Sequence, residues 1–255
     1  MDIAVITGAS SGLGAAFVEK VVVRYPHLDE IWVIARREER LKALAHQFPR
    51  HQFRILALDL SQTSSFNQLD AVLRKYSPNI KVLINDAGFD QAGLFRAMAT
   101  GAIDGMIGLN VRGMTRISRS CLPYMHQSSY QIIVGSVGAY VPLPWRAVYG
   151  ASKTYGRFFA RALRQEERPR GVNVLFMGTG AMNTEMYRES MVANKRTHFL
   201  NLDHITTVAL KRAERGAGVY SPGWATKAVR VFGKLAPSAF AVKFTSVERM
   251  VKPQS

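Results

Sequence analysis

A tyrosine and a lysine in this sequence are spaced for acid–base chemistry. Tyr149 and Lys153 lie four residues apart, in a stretch at 147–153 that reads Ala-Val-Tyr-Gly-Ala-Ser-Lys. If this stretch is helical, one turn places both side chains on the same face. An isolated phenol titrates at about pH 10, and a neighbouring ammonium stabilises its anion. The spacing therefore makes Tyr149 a candidate proton donor and Lys153 the cation that assists it.

Four sequence features upstream of this pair add support through their order along the chain. Residues 7–14 (TGASSGLG) follow a short β-branched run and precede a helical pattern, which predicts a strand, a glycine-rich turn and a helix. Such glycines let the backbone approach a pyrophosphate, and the helix N-terminus offers it free N–H groups. Residues 85–88 (NDAG) and Asn110 come next, and Ser136 precedes Tyr149 by 13 residues. Together these features resemble the short-chain dehydrogenase/reductase family.

The resemblance covers about residues 2–185 and implies both a fold and an activity. The implied fold is one α/β domain over residues 1–255, with a Rossmann-type, doubly wound, mainly parallel sheet and helices on both faces. The implied activity is an NADPH-dependent oxidoreductase that transfers hydride between nicotinamide and a ketone or secondary alcohol. A non-catalytic NADPH-binding sensor or scaffold is the alternative, because a fold can outlast its chemistry.

The resemblance also assigns roles to four catalytic residues. Tyr149 gives a proton to the substrate oxygen, Ser136 hydrogen-bonds that oxygen, Lys153 holds the nicotinamide ribose, and Asn110 holds a water on the proton path. The sequence departs from the family at Asp86, where a second asparagine is usual, and that puts side-chain hydrogen bonding there in doubt. It also lacks the proline that usually opens the segment at 179–184.

Two arginines decide the predicted cofactor. A strand at 30–35 ends about 20 residues beyond Gly14, where NAD-binding folds usually carry an acidic residue, and here Arg36 and Arg37 follow it. A guanidinium can pair with a 2′-phosphate, which favours NADPH/NADP+, although both could be solvated residues at a helix start. Arg40 is expected on the exposed face of that helix. The predicted cofactor-binding residues are Gly8, Ser10, Ser11, Gly12, Leu13, Gly14, Arg36, Arg37, Asp59, Leu60, Asn85, Ala87, Gly88, Tyr149, Lys153, Gly180 and Thr184.

The elements that must position these residues follow from the hydrophobic pattern. Strands are predicted at 3–7, 30–35, 54–59, 81–85, 131–135, 172–176 and 218–220. Helices are predicted at 98–120, 149–164 and 208–215 among others, with Asn110 in mid-helix. Asp59 either contacts the adenine region of a cofactor or caps the helix that begins near residue 61. Residues 137–145 form an apolar loop suited to a wall of the substrate cleft.

Two segments near the C-terminus leave alternatives open. Residues 186–203 are predicted to be a mobile substrate lid, or else a packed amphipathic helix. The basic segment 221–255 carries six Lys or Arg residues after Ser221 against the single Glu248, interleaved with apolar residues. Such a segment can lie on an anionic membrane, or pack on its own domain or a second subunit, and the packing interpretation is favoured.

Composition excludes several classes of function. The chain has 34 Lys and Arg against 18 Asp and Glu, a net charge of +16, but no aromatic-basic motif that would indicate nucleic-acid binding. Its single Cys121 excludes an internal disulfide, and its histidines lack metal-ligand spacing, so no metal is expected. It has no signal peptide and no apolar run of about 18 residues, which favours a cytoplasmic protein, at most peripheral to a membrane.

The substrate and the assembly are the least defined predictions. The aromatic and methionine-rich loops suggest an apolar carbonyl or alcohol substrate. Four cations near the presumed mouth suggest that it has an acidic end, and these are Arg146, Arg188, Lys195 and Arg196. The family resemblance implies a homodimer or homotetramer, formed through the helices that carry Asn110 and Tyr149.

Overall fold

Seven parallel strands form one sheet within residues 1–193 and 197–251, the part of the chain that the computed structural model describes. Their spatial order is β3-β2-β1-β4-β5-β6-β7. The strands are β1 (Asp2–Thr7), β2 (Glu30–Ala35), β3 (Phe53–Ala57), β4 (Asn79–Asn85), β5 (Tyr130–Ser136), β6 (Asn173–Thr179) and β7 (Val219–Tyr220). The predicted doubly wound sheet is confirmed. Lys195 and Arg196, which were predicted near the cleft mouth, lie outside the described residues.

Helices cover both faces of the sheet. They are α1 (Gly12–Arg24), α2 (Glu38–His46), α3 (Thr63–Tyr76), α4 (Thr100–Ile107), α5 (Met114–Cys121), α6 (Ala147–Glu167), α7 (Glu185–Ser190), α8 (Leu202–Glu214), α9 (Trp224–Leu235) and α10 (Ser238–Ala241). Because side chains alternate along a strand, Ile3 and Val5 enter one core while Ala4 and Ile6 enter the other. Helices α3, α5 and α6 close the first core, and α1, α2 and α8 close the second.

The order of the strands places a cleft beside β1. The chain builds outward from β1 through β2 to β3, then returns to β4 on the other side of β1. Parallel strands with helical crossovers diverge at such a switch point, and the loops after their carboxyl ends leave a crevice there. The glycine-rich turn after β1 and the residues after β4 therefore meet at one edge of the sheet.

Three predicted elements differ from the structure. The helix predicted at 98–120 is interrupted by a π turn at Gly108–Gly113, which separates α4 from α5 and includes Asn110. Strand β3 ends at Ala57, two residues before Asp59. The segment 186–203, predicted as a lid, begins within the short helix α7. Its last two residues belong to α8, which begins at Leu202 and not at 208.

The C-terminal segment returns to the residues after α7. Met191 and Val251 form an isolated antiparallel bridge, and the Val192 N–H donates to the Met250 carbonyl at 2.7 Å. Within residues 1–193 and 197–251, no helix has the length and apolar character needed to cross a bilayer.

Candidate active site

The glycine-rich turn leaves backbone, rather than side chains, exposed at the start of α1. Gly8 and Gly12 have φ values of 71° and 56°, in the left-handed region that glycine adopts without strain. A Cβ at Gly14 would lie 2.3 Å from the Gly8 carbonyl oxygen, so the turn can close only with glycine there. This packing presents the N-terminus of a 13-residue helix to the cleft, as anion binding by backbone N–H groups requires.

A cleft opens above this turn, at the carboxyl ends of β1, β2, β4 and β5. Fourteen of the seventeen predicted cofactor-binding residues line it, and they are Gly8, Ser10, Ser11, Gly12, Leu13, Arg36, Arg37, Asp59, Leu60, Ala87, Gly88, Tyr149, Lys153 and Thr184. The fold thus brings residues from distant parts of the chain to one site.

Three predicted cofactor-binding residues lie outside this lining. Gly14 packs beneath Gly8, as described above. Asn85 is buried, and its amide donates to the Met114 carbonyl oxygen at 2.9 Å, so the side chain ties β4 to α5 instead of reaching the cleft. A Cβ at Gly180 would lie 2.9 Å from Thr226 Oγ1, which places this glycine against the C-terminal segment.

Asp59 lies in the cleft and also fixes the turn that follows β3. It lines the cleft, while its Oδ1 accepts from the Ser61 N–H at 2.9 Å and from the Ser61 hydroxyl at 2.7 Å. These bonds fix the turn that leads into α3, although Asp59 does not cap α3 itself, because that helix begins at Thr63.

Tyr149 and Lys153 lie together in the first turns of α6. Both are buried, at 7% and 8% exposure, and both line the cleft. Lys153 Nζ is 5.6 Å from the centre of the Tyr149 ring and donates to the Val134 carbonyl oxygen at 3.4 Å. The ammonium and the phenol ring therefore lie side by side in the cleft.

Asn110 fixes the loop after β4 beside Lys153. Its Oδ1 accepts from the Phe89 N–H at 2.8 Å, and its Nδ2 donates to the Phe89 carbonyl at 2.8 Å and to Ser152 Oγ at 3.1 Å. A Cβ at Gly88 would lie 3.3 Å from both Asn110 Oδ1 and Lys153 Nζ, so the absence of a side chain there keeps the two groups close. The π turn places this amide on the side of the helix that faces the loop.

Ser136 ends β5 and lies outside the lining of the cleft. It is buried, and its Oγ accepts from the Gly138 N–H at 3.2 Å, which begins the loop that leads toward α6. That bond leaves its hydroxyl hydrogen free to donate, because the oxygen is the acceptor.

A buried ion pair lies next to Tyr149, and no sequence pattern predicts it. The Arg146 guanidinium lies over the Tyr149 ring, with 4.2 Å between its Cζ and the ring centre. Asp90, whose side chain is 1% exposed, pairs with Arg146 through two hydrogen bonds, and Ser190 of α7 donates to Asp90 Oδ2 at 2.7 Å. Burial lowers the pKa of Arg146, but the Asp90 carboxylate, together with Tyr149 and Tyr187, raises it, and the net shift is upward.

This ion pair changes one sequence-based expectation. Arg146 was expected near the cleft mouth as a cation for an acidic substrate, but its guanidinium is already paired with Asp90. No spacing rule connects residues that are 56 and 100 positions apart, and only the fold brings Arg146, Asp90 and Ser190 together.

Comparison with known proteins agrees with this geometry. The sequence model of the short chain dehydrogenase family matches residues 2–195. This chain belongs to the short-chain dehydrogenase family. An uncharacterised oxidoreductase of Staphylococcus epidermidis is 29% identical over 186 residues, which cover 72% of this chain and 79% of that protein. The NADPH-dependent 1-acyldihydroxyacetone phosphate reductase of Saccharomyces cerevisiae is 31% identical over 189 residues, 72% of this chain and 62% of the yeast protein.

A solved structure extends the likeness beyond the matched segment. The short-chain dehydrogenase from Sphingobium yanoikuyae in complex with NADPH has a TM-score of 0.80 and 26% identity, and the match covers 92% of this chain and 93% of that chain. The oxidoreductase class and the Rossmann-type fold of this short-chain dehydrogenase are therefore established together.

The two arginines after β2 differ in their surroundings. Arg37 donates to Ser10 Oγ at 3.1 Å and Ser11 Oγ at 2.8 Å, and pairs with Glu185 at 2.8 Å. Glu185, the first residue of α7, also pairs with Arg40 at 2.6 Å. Hydrogen bonds from Arg37 and then Arg40 hold the pKa of Glu185 at about 2. Arg36 is exposed at the rim of the cleft and forms no salt bridge with a carboxylate in the described part of the chain.

Replacement of Glu185 tests whether its carboxylate competes with a cofactor phosphate. We expect Glu185→Gln to bind NADPH up to about fivefold more tightly, because Arg37 would be released from an exposed ion pair that solvent screens. Binding of NADPH and NADH, measured by fluorescence titration, checks this. Glu189→Gln, an exposed change on the same helix, is the control. Weaker NADPH binding by Glu185→Gln would show that Glu185 instead holds Arg37 ready for the phosphate.

Asp86 is the titratable group that most distinguishes this dehydrogenase from its family pattern. Its Oδ2 would lie 3.1 Å from a Cβ at Gly8 and 3.0 Å from one at Gly14, so it sits directly behind the glycine-rich turn. Burial raises the pKa of Asp86 to about 7, while the Lys153 ammonium and the Gly14 N–H, which favour the carboxylate, oppose the rise only in part. A protonated carboxyl group can donate a hydrogen bond, as the usual asparagine would.

Asp86 should make stability depend on pH. The folded protein keeps its proton up to a pH of about 7, whereas the group's ordinary pKa is 3.8. The stabilisation that protonated Asp86 contributes is complete below pH 3.8. It is lost as pH rises through about 7, by roughly 1 kcal/mol for each pH unit. We therefore expect the free energy of unfolding of Asp86→Asn, relative to that of the natural protein, to rise from about pH 5 to about pH 7.

Urea unfolding across that pH range measures the difference. Asp104→Asn, at an exposed position of α4, serves as the control and should follow the natural protein at every pH. Parallel curves for Asp86→Asn and the natural protein would mean that Asp86 is ionised in the folded state throughout.

Proposed function

We propose that this short-chain dehydrogenase reduces a ketone, or oxidises the matching secondary alcohol, with NADPH or NADP+ as the hydride carrier. The observation that carries the proposal is the convergence of Tyr149, Lys153 and the glycine-rich turn on one cleft. The residues present fit a dinucleotide, because the turn offers a helix N-terminus free of side chains and the opposite rim carries Arg36 and Arg37. When bound, the nicotinamide ring supplies or accepts the hydride.

The protein's own contribution is proton transfer and alignment. Tyr149 gives the proton of its phenol to the substrate oxygen during reduction and takes it back during oxidation. Lys153 places a cation 5.6 Å from the centre of the ring, which stabilises the negative charge that Tyr149 gains. Ser136 donates its hydroxyl hydrogen to the same substrate oxygen and orients it. Asn110 keeps the loop after β4 in place behind Lys153.

Preference for NADPH rests on the charge at the end of β2. Arg36 and Arg37 line the cleft just after β2, which supports pairing of a guanidinium with a 2′-phosphate, and the carboxylate that pairs with Arg37, Glu185, belongs to α7 and not to β2. Two relatives point the same way, since the yeast reductase is NADPH-dependent by name and the Sphingobium structure holds NADPH.

The substrate side favours an apolar carbonyl compound. Leu109, Val134, Met182 and Met186 line the cleft near Tyr149 and give it an apolar surface. Arg188 is exposed, so it remains available to an acidic group, whereas Arg146 is neutralised by Asp90. The ketone named in the yeast relative combines an acyl chain with a phosphate, and such a molecule has both of these characters.

A panel of carbonyl compounds tests the proposal. Purified protein is mixed with NADPH and with medium-chain ketones, β-ketoacyl thioesters or acyl dihydroxyacetone phosphates, and the loss of nicotinamide absorbance is followed. We expect turnover with at least one apolar ketone, and lower turnover with NADH than with NADPH. Tight NADPH binding without turnover on any of these classes would favour a non-catalytic role instead.

An oligomeric state also belongs to the proposal. Ile107 of α4 and Tyr155 and Phe158 of α6 are 47%, 39% and 62% exposed, on the helices next to Asn110 and Tyr149. Apolar side chains on these helices suit a homodimer or homotetramer. Light scattering on the purified protein measures the assembly directly, and a monomer at micromolar concentration would exclude it.

A further inference from the structure

Helix α9 is anchored to the domain by one of its faces. Val229 and Phe232 pack with Val141, Leu143 and Ala241, and Thr226 is buried on the same side. A Cβ at Gly233 would lie 2.1 Å from the Tyr140 carbonyl oxygen, so the helix sits directly on the loop after Ser136. The packing predicted for the basic segment is therefore present, but it accounts for only one side of the helix.

The outer face of α9 is an apolar stripe with nothing from the described chain over it. Trp224, Val231 and Leu235 are 79%, 57% and 76% exposed, and Ala228 between them is exposed too. Positions 224, 228, 231 and 235 follow helical spacing, so they lie along one line on the helix surface.

Two exposed aromatic side chains follow α9 in the chain. Phe240 and Phe244 are 50% and 68% exposed, with 5.0 Å between their ring centres, and Phe240 lies 6.5 Å from the ring of Phe232. The Thr245 hydroxyl bonds to the Pro142 and Ala241 carbonyl oxygens, which holds the segment after α10 against the domain. The outer surface formed by α9, α10 and residues 242–251, called here the C-terminal surface, is thus both apolar and fixed in position.

Cations border the apolar stripe. Lys227, Arg230 and Lys234 lie on the flank of α9, and Lys243 and Arg249 follow, all exposed and none in a salt bridge within the described residues. The only acidic residue between Trp224 and Val251 is Glu248. Arg157 of α6 lies close enough to Arg161 and Arg230 to be affected by their charge. Burial lowers the pKa of Arg157, and these two guanidinium groups lower it further.

We infer that the C-terminal surface docks on a lipid bilayer with anionic headgroups. Trp224 and Leu235 would enter the boundary between headgroups and acyl chains, while Lys227, Arg230 and Lys234 face the lipid phosphates. A second copy of this chain fits less well, because it would bring the same cations against one another with only Glu248 to pair with them. Charge complementarity therefore selects the membrane.

The C-terminal surface is linked to the substrate side of the molecule. Its final residues bridge to Met191 and Val192 just after α7, whose Met186 lines the cleft, and α9 covers the loop between Ser136 and α6. Docking would bring the cleft mouth close to the bilayer, so an apolar ketone could enter from the lipid. That consequence rests on the proposed function, whereas docking itself can be measured without substrate or cofactor.

Sedimentation of the full-length protein with vesicles tests the inference. We expect binding to vesicles of phosphatidylglycerol mixed with phosphatidylcholine, and much weaker binding to phosphatidylcholine alone. Lys227→Gln combined with Lys234→Gln should weaken binding to the anionic vesicles by roughly 30-fold, because each cation near such a surface strengthens binding about fivefold. Trp224→Ser combined with Leu235→Ser should weaken it by more than about tenfold. These side chains are exposed, so both variants should keep the fold.

Matched changes elsewhere control for general loss of charge and apolar surface. Arg74→Gln with Lys75→Gln on α3, and Val23→Ser on α1, replace exposed side chains and should bind vesicles as the natural protein does. Equal binding by the Trp224 and Leu235 variant, or no binding to anionic vesicles by the natural protein, would overturn the inference. Conversion of a dimer to a monomer by that variant, without vesicle binding, would assign the surface to a second copy.

Discussion

Replacement of Tyr149 by phenylalanine should lower turnover by roughly 10²- to 10⁴-fold, the usual contribution of a positioned general acid. The ring itself is packed among Met98 and Met106, with Arg146 over one face, so phenylalanine fills the same space. Only the phenolic hydroxyl is lost, and with it the proton that the substrate oxygen needs. The variant should therefore fold normally and bind NADPH with unchanged affinity.

Initial rates with the best ketone of the panel, followed by nicotinamide absorbance, measure this effect. Tyr155→Phe is a matched control on the same helix, since its hydroxyl bonds to Thr115 Oγ1 at 3.0 Å at the surface of the molecule. That change should leave turnover within about twofold of the natural protein, the range expected when no reacting group is touched. A Tyr149→Phe variant that retains near-normal rates would remove the acid–base scheme, whatever its affinity for the cofactor.

Loss of the Asp90 carboxylate should be the most damaging change to stability. Asp90→Asn leaves the buried Arg146 guanidinium without a counter-ion, and breaking a buried pair in this way typically costs about 3–5 kcal/mol. The side chains involved are 1% and 14% exposed, so water cannot replace the lost partner effectively. Urea unfolding near pH 7 gives the difference in the free energy of unfolding.

A double variant separates the two parts of this effect. Asp90→Asn combined with Arg146→Met removes the unpaired charge, and we expect it to recover much of the stability, because an apolar replacement of a buried pair is often neutral. A single Asp90→Asn variant within about 1 kcal/mol of the natural protein, the range of an exposed pair, would show that water reaches Arg146.

The parts of this molecule that the sequence predicts best are those set by local pattern. Strand β2 at Glu30–Ala35 has the predicted bounds, because its apolar run is bounded by polar residues on both sides. Tyr149 and Lys153 needed only one turn of helix to lie on one face. The glycine-rich turn was equally local, since the close contact between Gly14 and Gly8 depends on residues six positions apart.

Sequence patterns do not predict the features that depend on tertiary contacts. Asn85 looked like a cofactor residue until the fold placed its amide against the Met114 carbonyl. The pairing of Arg37 with Glu185 joins positions 148 residues apart, and no spacing rule could link them. The sequence of the basic segment fits either packing on the domain or contact with a membrane. In the structure one face of α9 packs on the domain and the opposite face is exposed.

The π turn at Gly108–Gly113 gives Asn110 a position that a regular helix would not give it. A turn of this kind holds about one residue more than a regular α turn, and the Met114 N–H accordingly reaches the Leu109 carbonyl, five residues back. Deletion of a single residue there would let the hydrogen-bond ladder close as ordinary α-helix. The flanking side chains would keep their orientation, because the wide turn already accommodates the extra residue, but the amide of Asn110 would no longer meet Phe89. The position of Asn110 beside Lys153 therefore depends on the length of this one turn.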